Sequence, residues 1–197
     1  ECLKEKVIRI NKAKERVKLG LEEYFSDVEY VVNEEEHKLM QDIVDSSYTL
    51  IKGKEPSLTP NTLIISSNAK IASIVEDEFD DRNLTNALKH NFPNNKVIKF
   101  TNDKSFVKDI LNIINDFDRV IIYSYDAYKD EVQIETINEL LKTNKDIYVV
   151  SLKGPIDRVY FKNLTNYSCL YEYTPNSIRA IVKQLKQEFN LSGKLPM

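Results

Sequence analysis

Three carboxylates, Asp126, Asp130 and Glu131, follow directly on an apolar run that reads as a β-strand. A carboxylate at the end of such a strand can serve as a general acid or base. The same spacing suits a plainer role, in which Asp126 shapes a turn while Asp130 and Glu131 favour the N-terminus of the next helix. Both readings stand on the sequence alone, the plainer one favoured. The two histidines offer less. Glu35–Glu36–His37 lacks the second histidine of a zinc-binding helix, so no metal site is expected there. Ser46–Ser47 and Ser66–Ser67 have neither an adjacent histidine nor a nucleophile elbow, which argues against a hydrolase triad. The four glycines, Gly20, Gly53, Gly154 and Gly193, cannot be assembled into a G-x-G-x-x-G or Walker A loop. Nucleotide-dependent chemistry is therefore not expected, although flavodoxin-like folds bind flavin with less conspicuous loops; the expected cofactor set is none. Tyrosines at 123, 125, 128, 171 and 173 gather near strand ends, where they could stack on sugar rings or close the edge of a core.

These residues need elements to position them, and the hydrophobic pattern supplies a set. Short apolar runs at 62–67, 96–100, 119–124, 147–152 and 168–171 lack strict alternation, as strands covered on both faces do. Amphipathic segments separate them: a weak one near 84–90, then 104–115 and 130–143, each with one apolar face. The last helix is the best marked. Thr174 is a good N-cap, Pro175 suits the first helical position, and Ile178, Ile181, Val182, Leu185 and Phe189 form its stripe. Ahead of the strands, the spacing predicts a helix from Cys2 to Leu19, stopped by Gly20, and another from Glu35 to Ile51. The expected fold class is α/β: a three-layer αβα sandwich with an open, mostly parallel sheet, preceded by an N-terminal helical linker. The strands from Thr62, Arg119 and Ile147 should be central and parallel.

In such a sheet, ligands bind beyond the carboxyl ends of the strands. That rule singles out the loops at 67–70, 101–104, 125–129, 153–157 and 173–175, and with them Asp126, Lys153 and Tyr173 as candidates to line a cleft.

Composition narrows the function classes. The chain has 197 residues, 42% of them hydrophobic and 30% charged, enough for one domain with attachments. A net charge of −3 leaves no basic footprint for nucleic acid. No apolar run approaches the roughly 20 residues of a membrane-spanning helix. Cys2 and Cys169 form neither a disulfide framework nor a zinc spacing, and both read as free thiols. Asn83, Asn163, Asn166 and Asn190 begin N-glycosylation sequons, which an Asn-rich chain produces by chance. Glu1 in place of Met leads us to expect that the natural chain starts further upstream, so the lack of a targeting signal carries no weight.

The final third holds the most specific pattern. Ile147 to Asp157 is similar to the strand and Ser/Gly-Pro-x-Asp turn of family-3 glycoside hydrolases of the bacterial β-N-acetylhexosaminidase branch. Cys169 to Ala180 resembles that branch's short strand, Tyr-x-x-Thr turn and helix. Leu185 to Pro196 resembles the family's Leu-x-Gly-Glu-x-x-Pro-x-Gly-Lys-Leu-Pro ending, with Glu188, Gly193, Lys194, Leu195 and Pro196 in place. Gln187 stands for the usual Gly and Leu191 for the usual Pro. Upstream, His37 with Asp45, Ser47, Leu50, Ile51 and Lys52 resembles the helix that opens the family's C-terminal domain, and Ile8 to Lys14 the closing helix of the preceding barrel. Lys89–His90–Asn91–Phe92–Pro93 is superficially similar to the family's catalytic Lys-His-Phe-Pro-Gly-His-Gly loop. An inserted Asn and the missing glycines and second His make that a coincidence.

The resemblance implies a division into residues 1–34, a linker and closing helix of a (β/α)8 barrel, and residues 35–197, the family's C-terminal α/β domain. It implies a partner, the N-terminal barrel of the same polypeptide, through which a carbohydrate substrate would be met. The barrel supplies the family's nucleophilic Asp and, in this branch, a His–Asp pair, and none of these maps onto the chain. Retaining hydrolysis needs two catalytic groups flanking one bond, so the chain alone should be inactive, a non-catalytic domain of an enzyme acting on cell-wall glycans that contain N-acetylglucosamine. A bacterial origin would follow, with the compartment left open between the cytoplasm and the cell envelope or secretion. Two alternatives remain: a β-glucosidase-type domain lending an acid/base residue, with Glu131 the least poor candidate, and a stand-alone sugar or small-ligand module.

Overall fold

The computed structural model describes residues 3–24, 33–67, 69 and 83–195, with the side chains of 19–24 left aside. Cys2, Pro196 and most of the loop after Ser67 lie outside these residues. The chain divides into two compact units, Glu1–His37 and Lys38–Met197.

The first unit carries helix α1 (Leu3–Tyr24) and the opening turn of α2 (Glu34–Ser47). Helix α1 runs through Gly20 instead of ending there. A mid-helix glycine costs about 1 kcal/mol relative to alanine, too little to stop a helix that no proline follows. Its apolar residues Leu3, Val7, Ile10 and Val17 are exposed. At the start of α2, Asn33 Oδ1 accepts from the Glu36 amide and Glu36 Oε2 accepts from the Asn33 amide, both at 2.9 Å. That reciprocal pair is a capping box.

In the second unit a six-stranded sheet is ordered β1-β6-β5-β4-β2-β3, with β1 (Thr49–Lys52), β2 (Thr62–Ser66), β3 (Lys96–Lys99), β4 (Arg119–Ser124), β5 (Asp146–Ser151) and β6 (Asn166–Cys169). All neighbours are parallel except β1, which pairs antiparallel with β6. The expected sandwich with β2, β4 and β5 internal and parallel is what the chain forms. The edge strand β1 is the departure. Sequence periodicity extends α2 to Ile51, but the helix ends at Ser47, and Thr49–Lys52 lie beside β6 in a hydrogen-bonded ladder that periodicity cannot reveal. Consequently Leu39, Met40 and Ile43 are exposed, while Val44 and Tyr48 are buried.

Alternate residues of the strands feed two cores. Leu63, Ile65, Val120, Ile122, Ile147 and Val149 face α4 (Ser105–Ile113) and α5 (Glu131–Leu140). Ile64, Ile121, Tyr123, Tyr148 and Val150 face α2, α3 (Leu84–Asn91) and α6 (Pro175–Leu185). Both faces are covered, which is why the strands read as continuous apolar runs. Among the described residues no helix is long and apolar enough to cross a membrane.

Two of the sequons serve the fold. The Asn83 side chain accepts from the Thr85 amide as the N-cap of α3, and Asn166 is buried with its carboxamide bonded to Lys54 N and Ile147 O.

Candidate functional site

The strand order fixes where a site can form. From β2 the chain passes to β3 on one side and then returns to β4 on the other, so the crevice beyond the carboxyl ends of β2 and β4 is the topological switch point. Tyr125 and Asp126 leave β4 there, Lys153 follows β5, and Tyr173 follows β6.

Asp126 adopts a left-handed backbone conformation, with φ 46° and ψ 42°, ahead of a 3₁₀ turn over Ala127–Lys129. Asp is among the few non-glycine residues that tolerate this region. Its Oδ2 accepts from Lys129 Nζ and from Lys153 Nζ, each at 2.8 Å. Burial would raise the pKa of this carboxyl, but the two lysine hydrogen bonds outweigh it and hold the group below its ordinary value. The same contacts raise both lysines. Lys153 Nζ also sits 5.2 Å from the centre of the Tyr125 ring, which meets Tyr173 edge to face at 6.1 Å. The Tyr173 hydroxyl accepts from the Leu84 amide at 3.2 Å, tying the β6–α6 loop to the start of α3. The structure thus brings Asp126, Lys153 and Tyr173 into one connected group, Tyr173 largely buried and the two lysines open to solvent.

The other carboxylates do what the plainer reading expects. Asp130 caps α5 by accepting from the Gln133 amide at 3.1 Å, and Glu131 is exposed in that helix's first turn. His37 and His90 are exposed, and no cluster of three or more metal-ligating side chains occurs among the described residues. Cys169 is buried and free, its thiol pushed up to about 12 by burial.

Sequence reasoning missed Asp157. It is 1% exposed and its Oδ2 accepts from Ser124 Oγ at 3.1 Å and Ser151 Oγ at 3.2 Å. Those serines are register partners at the ends of β4 and β5. Burial raises the pKa of the Asp157 carboxyl, against hydrogen bonds from the backbone of Ala127, from Ser124, from Ser151 and from the backbone of Tyr128. The signal for it was the Gly154–Pro155–Ile156–Asp157 turn.

With this geometry in hand, comparison with known proteins is informative. No protein-family model and no curated protein sequence matches the chain. Solved structures do. A family-3 β-N-acetylglucosaminidase from Paenibacillus superposes with a TM-score of 0.69 at 21% identity, covering 87% of this chain and 34% of that one. A fungal multi-domain family-3 β-N-acetylglucosaminidase gives 0.66 at 20% identity over 86% and 20% of the two chains. The β-N-acetylglucosaminidase of Thermotoga maritima gives 0.51 at 14% identity over 77% and 31%.

The chain has the fold of a family-3 glycoside hydrolase domain.

It spans about a third or less of the length of these neighbours. Identities at this level establish architecture and leave residue roles to the geometry.

Proposed function

We propose that the chain is the non-catalytic C-terminal domain of a family-3 β-N-acetylhexosaminidase. In this reading residues 35–197 pack on a catalytic (β/α)8 barrel of the same polypeptide, residues 1–34 close that barrel and link to the domain, and Asp126, Lys153 and Tyr173 border its cleft. The observation that carries the proposal is the extent of the structural match, which takes in nearly all of this chain but only a minor part of each hydrolase. The site itself agrees with a supporting role. Both lysines are committed to Asp126, and that carboxylate, held ionised by them, is a poor proton donor.

Two assays test this. The chain alone should not turn over aryl N-acetyl-β-glucosaminides. Turnover that survives repurification and disappears on replacing one carboxylate of this chain overturns the non-catalytic reading. In the barrel-bearing polypeptide, Asp126→Asn, which tolerates the left-handed turn, and Lys153→Ala should change kcat/KM with little loss of stability, whereas Tyr173→Ala should lower stability as well, because its hydroxyl anchors α3. If all three leave kcat/KM within about twofold, worth roughly 0.4 kcal/mol, the domain is a scaffold and the cleft assignment fails.

A further inference from the structure

Asp tolerates the left-handed region but does not prefer it to the others, and around Asp126 the structure shows what anchors the turn. The donors gathered beside its turn come from three places: the end of β4 at Ser124, the end of β5 at Ser151, and the 3₁₀ turn that follows Asp126. All converge on one carboxylate, Asp157, itself in the 3₁₀ turn over Pro155–Tyr160. The Ala127 and Tyr128 amides that point to it belong to the two residues directly after Asp126. An ionised carboxylate only accepts, with about four lone-pair directions, and here donors approach from both serines and both amides. Ser151 shares its single proton with the Gly154 carbonyl, 2.7 Å away, so of the two hydroxyls Ser124 is the one committed to the carboxylate alone. A carboxamide of the same shape keeps one acceptor oxygen for the serines but turns an NH₂ toward the donors on its other side.

We infer that Asp157 is a positioning residue: it sets the left-handed turn that carries Asp126 and, through it, the Lys129–Asp126–Lys153 cluster at the switch-point crevice. Its bearing on catalysis rests on the cleft-bordering role proposed above, but the positioning itself does not. Asp157 touches neither lysine and would touch no substrate; it acts through the turn.

The test follows the Asp126 carboxyl by ¹³C NMR titration and the Ala127 and Tyr128 amides by ¹H–¹⁵N spectra, in Asp157→Asn and in the milder Ser124→Ala. Gly193→Ala, remote in the hydrogen-bond network, serves as a control that lowers stability without touching the turn. Asp157→Asn should move both amide resonances and let the Asp126 carboxyl titrate closer to the ordinary carboxylate value of about 3.9. Ser124→Ala should shift both in the same direction by less, and it carries the test if Asp157→Asn does not fold. The control should shift neither. Asp126 titration and amide positions unchanged in both variants, whatever happens to Tm, would overturn the inference. If they do move while kcat/KM of the barrel-bearing polypeptide stays the same, positioning stands and the cleft reading falls.

Discussion

The turn at Asp157 and the terminal segment at Gly193 both lie in stretches that resemble family-3 hydrolases, yet they are held by different physics. At Asp157 a buried carboxylate gathers hydroxyl and amide donors, and the result is an ion cluster presented to solvent. At Gly193 backbone meets backbone. Its amide donates to the Tyr48 carbonyl at 3.1 Å, and a Cβ added there would stand 2.3 Å from the Ser47 carbonyl oxygen and from Thr49 Oγ1. One arrangement displays side chains; the other closes the seam between the chain end and the α2–β1 junction. Likeness in sequence marks the two equally, and only the structure separates a motif that could serve function from one that serves the fold.

The largest expected effect tests the closed seam. Gly193→Ala forces a backbone shift and should destabilise by about 1–3 kcal/mol, the range for an overpacked contact. Gly154, the glycine of the Asp157 turn, provides the contrast. Nothing lies within 4 Å of a Cβ built on it, and its φ of −162° is extended backbone open to any residue. Gly154→Ala should therefore fall within about 0.5 kcal/mol of the parent. Thermal or urea unfolding of the two variants decides the matter: equal losses would mean that the close approach at Gly193 does not hold in solution.

What could be read from the sequence follows the same division. The three layers and the internal strands were legible because burial on both faces leaves unbroken apolar runs such as Val120–Tyr123 and Ile147–Val150. The cap at Thr174 and the proline after it announced α6. Edge strand β1 was not legible, since Tyr48, Leu50 and Ile51 fit a helical stripe as well as a strand, and the ladder to β6 that decides between them spans more than a hundred residues. For the site, the rule about strand ends pointed to Asp126, Lys153 and Tyr173, which the fold brings into one connected group; that they border a cleft is a proposal. The rule could not reveal Asp157, whose role depends on two serines becoming register partners. Nor could it show that Tyr173 spends its hydroxyl on α3.

A smaller effect, of opposite sign, sharpens the account of the terminal segment. Helix α6 ends with the Gln187 amide bonded to Gln184 O at 2.9 Å and the Glu188 amide to Lys183 O at 3.0 Å, and Gln187 has a φ of 61°. These are the two bonds of a Schellman motif, whose left-handed position favours glycine. The residue that departs from the family-like ending is thus the one under backbone strain. Gln187→Gly relieves roughly 1–2 kcal/mol of left-handed strain, partly offset by the greater freedom of glycine in the unfolded chain. A net gain of about 0.5–1 kcal/mol is expected, a rise in Tm of about 1–4 °C for a chain of this size. A fall in Tm would mean that the Gln187 side chain contributes more than its backbone costs.

The smallest expected effect concerns the displayed cluster, and its value lies in its pH dependence. Asp126→Asn removes the charge while keeping a residue that tolerates the left-handed turn, so backbone strain does not confuse the result. The Asp126 carboxyl is opposed by burial but held below its ordinary value by Lys129 and Lys153. A folded-state pKa below the unfolded one means that the folded chain binds this proton less readily. The stability it contributes is then complete above the unfolded value near 4 and is lost as pH falls through the lower folded value. The lysines are about half exposed, with side-chain exposures of 58% and 47%, so solvent screening keeps the contribution small, at most about 2 °C in Tm. The gap in Tm between parent and variant should be constant from pH 5 to 8, close as the pH drops below 4, and shrink in high salt at neutral pH. A gap that widens on acidification would reverse the sign of the Asp126 shift. The lysines would then not be clamping an ionised carboxylate, and the contrast between the displayed cluster and the closed seam would lose its electrostatic half.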